Sequence, residues 1–303
     1  MTPAILLGLL WLAVLWGSAF PMIKMGLAGL SAPHLTLARH LVASACFVPF
    51  LLITRRRLLP ARQDMGYFLL LGVLGITVYH LSLNYGELRV SAGATSLIIA
   101  TAPAITALLA YALLGEHLPV LGWLGSLLSF AGVVMIVLGD GAQLSINPFA
   151  LLVLLSALVT SLYFVFQKRL FVRYSAVEVT AFSTWAGTLP LLLFLPGFPA
   201  DLSGAGMPAL LAAIYIGVFP SAVAYSLFAF ALSRAPVTLV TAYLYTVPVF
   251  SLLFSWLLLG EVPGWLTVFG GGVVVLGVVL VNVAKQRWAR RLRAVTSLEG
   301  LVE

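Results

Sequence analysis

The sequence predicts an all-α integral membrane protein with ten transmembrane helices, arranged as two inverted five-helix repeats. Three observations carry this prediction. The 303 residues are 62% hydrophobic and 8% charged, whereas soluble domains carry about 25% charged residues. The run Arg89, Thr101, Pro103, Leu113, Leu114, Gly115, Glu116, Gly125, Gly132 returns as Arg234, Thr246, Pro248, Leu258, Leu259, Gly260, Glu261, Gly270, Gly277, always 145 residues later. Lys and Arg cluster on alternate connections, as expected when basic loops stay on one side of a bilayer. Only helices and closed barrels satisfy their backbone groups in lipid, and a barrel would show alternating polarity, which this chain lacks.

The spans follow in order from apolar stretches of about 20 residues broken by Gly, Pro, Asn or charge. The first, 3–23, holds Trp16-Gly17-Ser18-Ala19-Phe20-Pro21 and ends at Lys24. It resembles a signal peptide in its apolar run but lacks a basic leading segment, so it is read as a span. The second, 33–53, contains Arg39-His40 and Cys46; the third, 65–86, contains Tyr79-His80, Ser82 and Asn84. The fourth, 91–113, carries Thr101 and Pro103. The fifth, 119–138, carries Gly125-x-x-x-Ser129, a small-residue stripe for close helix packing that equally suits a homodimer. Spans 146–168, 176–196, 207–232, 236–258 and 263–283 complete the second half. Domain bounds are therefore 1–142 and 143–284, followed by a basic tail, 285–303, suited to an anionic leaflet.

Arg55, Arg56, Arg57 and Arg62, then Lys168, Arg169 and Arg173, then Arg234 and the tail all fall on one side when spans alternate. Both termini are thus expected in the cytoplasm. Five spans per repeat make the second copy enter from the opposite face, an arrangement suited to alternating access around a shared site.

The charge of +7 is explained by these loops and is no sign of nucleic-acid binding. The single cysteine excludes an internal disulfide. No phosphate-binding loop is present, which excludes an ATP-driven pump of that type. No cofactor or metal is expected, and no enzymatic activity.

The segment Leu15-Trp16-Gly17-Ser18-Ala19-Phe20 with Lys24, Arg39 in span two, and the repeated Thr101-Ala102-Pro103/Leu114-Gly115-Glu116 and Thr246-Val247-Pro248/Leu259-Gly260-Glu261 resemble the drug/metabolite transporter superfamily, in its EamA-type branch. The resemblance spans nearly the whole chain. It implies ten helices as inverted repeats and carriers of small metabolites, often exporters of amino acids. Within the branch the chain looks most like aromatic and neutral amino-acid exporters. It departs from the nucleotide-sugar and triose-phosphate branches, because its last apolar spans carry no Lys or Arg.

Candidate functional residues follow from cost. A charge inside a span costs at least about 2.5–3.5 kcal/mol, so Arg39 should meet helix carbonyls or a substrate carboxylate. His40 suits a cavity wall or a packed core. His80 and Tyr79, aligned with Ala224-Tyr225 in the second half, suit a substrate head group, a coupling proton or a plain interhelical bond; Asn84 extends that face. Trp16, Tyr163, Trp185, Tyr243 and Tyr245 offer apolar walls or interfacial anchors. Thr101 and Thr246 stand beside Pro103 and Pro248, which remove a backbone hydrogen bond and mark either hinges or static kinks. Lys24 and Lys168 are expected to snorkel, and Glu116 and Glu261 to pair with basic residues. Asp64, Glu87, Asp140, Glu178 and Asp201 are all placed at edges or in loops, so no acid is expected to be buried mid-span. Two rivals stay open: a broad drug exporter, and an intramembrane lipid-modifying enzyme.

Overall fold

The computed structural model describes residues 3–116, 119–139, 148–262 and most of 264–284. Asp140 and the basic tail lie outside the described residues. Among the described residues every regular element is helical. In order they are α1 (Pro3–Leu27), α2 (Ala32–Ile53), α3 (Arg62–Glu87), α4 (Ala92–Leu114), α5 (Val120–Gly139), α6 (Pro148–Val172), α7 (Ala176–Phe194), α8 (Met207–Arg234), α9 (Val237–Leu259) and α10 (Val268–Val281). Among the described residues eight of them, α1 to α4 and α6 to α9, are long and apolar enough to cross a bilayer, and α5 and α10 contribute the shorter apolar runs Val120–Gly132 and Val268–Val281. The other two fall where spans five and ten are expected.

Packing sets where a site can lie. α1 runs along α8 and α9, whereas α6 runs along α3 and α4; α2 packs on α7 and α8, and α7 on α3. The α3–α7 crossing brings backbones together at Gly72 and Gly187, where an added Cβ would strike the opposite main chain. Gly125 and Ser129 face Gly277 of α10 within the same chain, so the small-residue stripe of α5 packs intramolecularly. Large side chains such as Trp11, Leu69 and Leu193 stay exposed, as lipid rather than water permits.

Four spans are interrupted part-way along their length. α3 has a π-helical segment at Val73–Val78 and α8 has one at Gly217–Ala224. Pro220 lies inside the second and lacks the amide an α-helix needs there. α4 breaks at Ala100–Thr101 before restarting at Ala102, and α9 passes through a 3₁₀ turn, Tyr243–Thr246. At both breaks the threonine hydroxyl donates to the carbonyl three residues back: Thr101 to Ile98 at 2.7 Å, Thr246 to Tyr243 at 2.6 Å. The Thr-x-Pro pairs thus mark real interruptions. α4 and α9 end at Gly115 and Gly260, with φ of 65° and 70°, a left-handed cap where a side chain would be strained.

Two polar expectations are corrected. Lys24 and Lys168 turn inward instead of snorkelling: Lys24 Nζ donates to the Glu87 carbonyl, and Lys168 Nζ to the carbonyls of Leu232 and Ala235. Cations at helix C-termini satisfy carbonyls that have no intrahelical partner. Glu116 accepts from the Val237 and Thr238 amides at 2.8 and 3.0 Å and from the Thr238 hydroxyl at 2.8 Å. It caps the N-terminus of α9 rather than pairing with a base. A short helix, Phe198–Gly204, joins α7 to α8, and its Asp201 accepts hydrogen bonds from the Ser31 amide and from His34 Nδ1 at 2.5 Å.

Candidate functional site

Helices α1, α2, α3, α4, α6, α8 and α9 converge on one central cavity of about 50 Å³. At about 10–15 Å³ per water, that is room for a few water molecules. Four of the expected residues meet there: Trp16, Arg39, Tyr79 and Tyr225. The remaining wall is apolar, from Phe20, Ile23, Ile99, Phe164, Leu244 and Val247, with Ser96 and Thr160 as hydroxyls.

The irregular backbone explains this convergence. Tyr79 and Tyr225 each follow the π segment of their helix, and the extra residue of a π turn re-aims the side chains after it. The breaks in α4 and α9 bring Ala100, Ala102 and Val247 to the wall. Thr101 and Thr246 are spent on their own helices, and Pro103 and Pro248 are buried just beyond the breaks.

Arg39 is the charged group of the cavity wall. It is 3% exposed. Its Nε donates to Ser221 Oγ at 2.6 Å, while Nη1 has no partner. No carboxylate lies within 4.0 Å of it among the described residues. Trp16 closes one side. Its Nε1 donates to the Pro220 carbonyl at 3.0 Å, and its ring stands 5.2 Å from those of both Tyr225 and Phe228.

Other expected residues lie off the cavity. His40 and His80 face each other at 4.4 Å between α2 and α3, with His80 Nδ1 3.0 Å from the Ile76 carbonyl. Asn84 donates to Thr36 Oγ1 at 2.8 Å on the same seam. Tyr163 is fully buried against Gly75. Trp185 donates to the Ser44 carbonyl at 3.2 Å beside Phe182. Tyr243 is half-buried and contributes nothing to the wall. Glu87 stands at the end of α3, as an edge residue should, yet it is fully buried there, and neither carboxyl oxygen has a hydrogen-bond partner. Sequence reasoning missed Ser221, Phe20, Phe164 and Ser96. For Ser221 no local signal exists, since it lies 182 residues from Arg39.

The EamA-like transporter family matches residues 3–138 and again residues 147–283. The chain belongs to the EamA-like transporter family. It is therefore a multi-pass membrane transporter of the drug/metabolite superfamily. It is 40% identical over 264 residues to the uncharacterized transporter YdfC of Bacillus subtilis (strain 168), covering 87% of this chain and 86% of that one. It is 36% identical over 285 residues to a probable terminal-alkyne amino-acid exporter of Streptantibioticus cattleyicolor, covering 93% and 94%. A crystal structure of an 18% identical protein superposes with a TM-score of 0.74, over 95% of this chain and 99% of the other; this likeness concerns the fold alone.

Proposed function

We propose that the protein carries amino acids or closely related zwitterions, aromatic ones included, across the bacterial inner membrane by alternating access, in the direction of export. One observation carries the reading: an almost fully buried guanidinium with an unpaired Nη1, set in a mostly apolar cavity. A buried unpaired cation is costly, and a carboxylate offers a guanidinium two parallel hydrogen bonds. Arg39 takes the substrate carboxylate; Trp16, Phe164 and Tyr225 wall its apolar body. Ring faces and the tyrosine hydroxyls receive the ammonium group.

The two halves, residues 1–142 and 143–284, act as inverted repeats with both termini in the cytoplasm. Exchanged packing supports this: α1 sits on α8 and α9 as α6 sits on α3 and α4. So do the paired lysine caps and the paired Thr-x-Pro breaks. The relative named as an amino-acid exporter supports the substrate class. A cationic-drug exporter is disfavoured, because Arg39 repels a cation.

Counterflow of labelled amino acids into liposomes holding the purified protein tests the proposal. Accumulation of unmodified phenylalanine or leucine against an internal pool is expected. No counterflow across the amino-acid panel, or a chemically altered product, refutes it.

A further inference from the structure

Two clefts adjoin on the outer surface between α2, α7 and α8. One, of about 400 Å³, is apolar and is lined by Cys46, Phe47 and Val223 among others. The other, of about 470 Å³, is polar and contains Arg56, Arg234 and Tyr174. Phe50, Val177 and Phe230 border both, so the two form one continuous groove.

The groove is polar at one end for a topological reason. α2 ends at Ile53, α7 begins at Ala176 and α8 ends at Arg234, so all three ends meet at one bilayer face. The polar cleft sits there, at headgroup depth. The apolar cleft extends along α2 toward Cys46 and along α8 toward Ala222, into the hydrocarbon. Its chain-facing wall includes Val223, in the π segment that also carries Ser221, the partner of Arg39.

Neither Arg56 nor Arg234 has a carboxylate within 4.0 Å among the described residues. Glu178 is the nearby acid and its charge acts on Arg56 at a distance, but its oxygens bond elsewhere: they accept from the Ser175 amide and hydroxyl at 2.8 and 2.6 Å and from the Arg57 amide at 3.3 Å. The Arg234 guanidinium rests 3.6 Å above the Phe230 ring, which fixes it at the junction of the two clefts. A soluble anion has no use for the apolar cleft, and a neutral chain none for two arginines. An anionic phospholipid satisfies both at once. Basic pockets between membrane helices bind such headgroups.

We propose that this groove is a specific site for one anionic phospholipid, its phosphate between Arg56 and Arg234 and one acyl chain against Phe50, Val177 and Val223. Native mass spectrometry of the full-length protein in detergent, titrated with phosphatidylglycerol, phosphatidylcholine or inorganic phosphate, tests this. Phosphatidylglycerol should bind about tenfold more tightly than phosphatidylcholine, an advantage of about 1.4 kcal/mol. The Arg56→Gln/Arg234→Gln variant should lose that preference, while the charge-matched Arg55→Gln/Arg57→Gln variant keeps it. Val223→Trp, which fills the apolar cleft, should weaken phosphatidylglycerol binding about tenfold, with an unchanged melting temperature as the control for folding. Equal affinity for the two lipids, a preference that survives loss of Arg56 and Arg234, or inorganic phosphate displacing the lipid would each overturn the proposal.

Discussion

Replacing Glu116 with alanine tests whether the halves are latched through helix caps. The carboxylate accepts three hydrogen bonds at 2.8, 3.0 and 2.8 Å, all from Val237 and Thr238 at the start of α9. The first amides of a helix lack intrahelical partners, and they carry the positive end of its dipole. Hydrogen bonds to a charged group contribute about 1.5–3 kcal/mol each. Sharing one carboxylate, they do not add, and a loss of about 3 kcal/mol is expected for Glu116→Ala. Glu116→Gln keeps an acceptor oxygen but loses the charge and should cost about 1 kcal/mol. Thr238→Val removes one of the three bonds; its double-mutant cycle with Glu116→Ala should give a coupling of about 1 kcal/mol. Reversible unfolding by titration with dodecyl sulfate in mixed micelles, followed by tryptophan fluorescence, measures these values. A Glu116→Ala protein within about 0.5 kcal/mol of the wild type would refute the capping argument.

Three further outcomes follow from the structure. Glu87 has no hydrogen-bond partner for its oxygens, so Glu87→Gln should change stability by less than about 1 kcal/mol, whereas Lys24→Met, which uncaps α3, should cost about 1–3 kcal/mol; a larger loss for Glu87→Gln would show that the carboxylate is paired. Gly187→Ala forces a Cβ against Ile76 and the α3 backbone and should cost about 1–3 kcal/mol in the same titration; a neutral result would rule out the close α3–α7 crossing. His34 and Ser31 hydrogen-bond the half-buried Asp201 and hold its pKa below the usual carboxylate value. The sign is that of a depressed acid: the contribution is complete above an ordinary carboxylate pKa of about 3.9 and is lost as pH falls through the lower folded value. Hydrogen exchange at the Ser31 amide, corrected for its intrinsic rate, should therefore accelerate below about pH 4 in the wild type and lose that dependence in Asp201→Asn; an unchanged pH dependence in the variant contradicts this assignment.

Much of the architecture was legible because the repeat is written in residues with strong backbone roles. The Thr-x-Pro pairs announce the breaks in α4 and α9, and Gly115 and Gly260 announce the ends of those helices. Hydropathy gives span positions but not depth or partner. Glu87 therefore reads as an edge residue although packing buries it, and Lys24 reads as a snorkelling end although a helix terminus lies within its reach. The cavity was half legible. Arg39, Trp16, Tyr79 and Tyr225 stand out as costly or large residues in lipid, and all four line it. Trp185 and Tyr163 are equally large, yet their rotational position on α7 and α6 turns them to other helices. The π segments that decide such rotations leave only faint traces, Gly75 and Pro220. Ser221 acquires its role solely from long-range contact with Arg39.

Competition in counterflow between phenylalanine and 2-phenylethylamine, which lacks only the carboxylate, examines the heart of this account. In the wild type the amino acid should compete at least about tenfold better than the amine, equivalent to about 1.4 kcal/mol, and Arg39→Gln should erase that difference while leaving folding intact. Equal competition by both compounds in the wild type, or an undiminished preference for the carboxylate in Arg39→Gln, would contradict it.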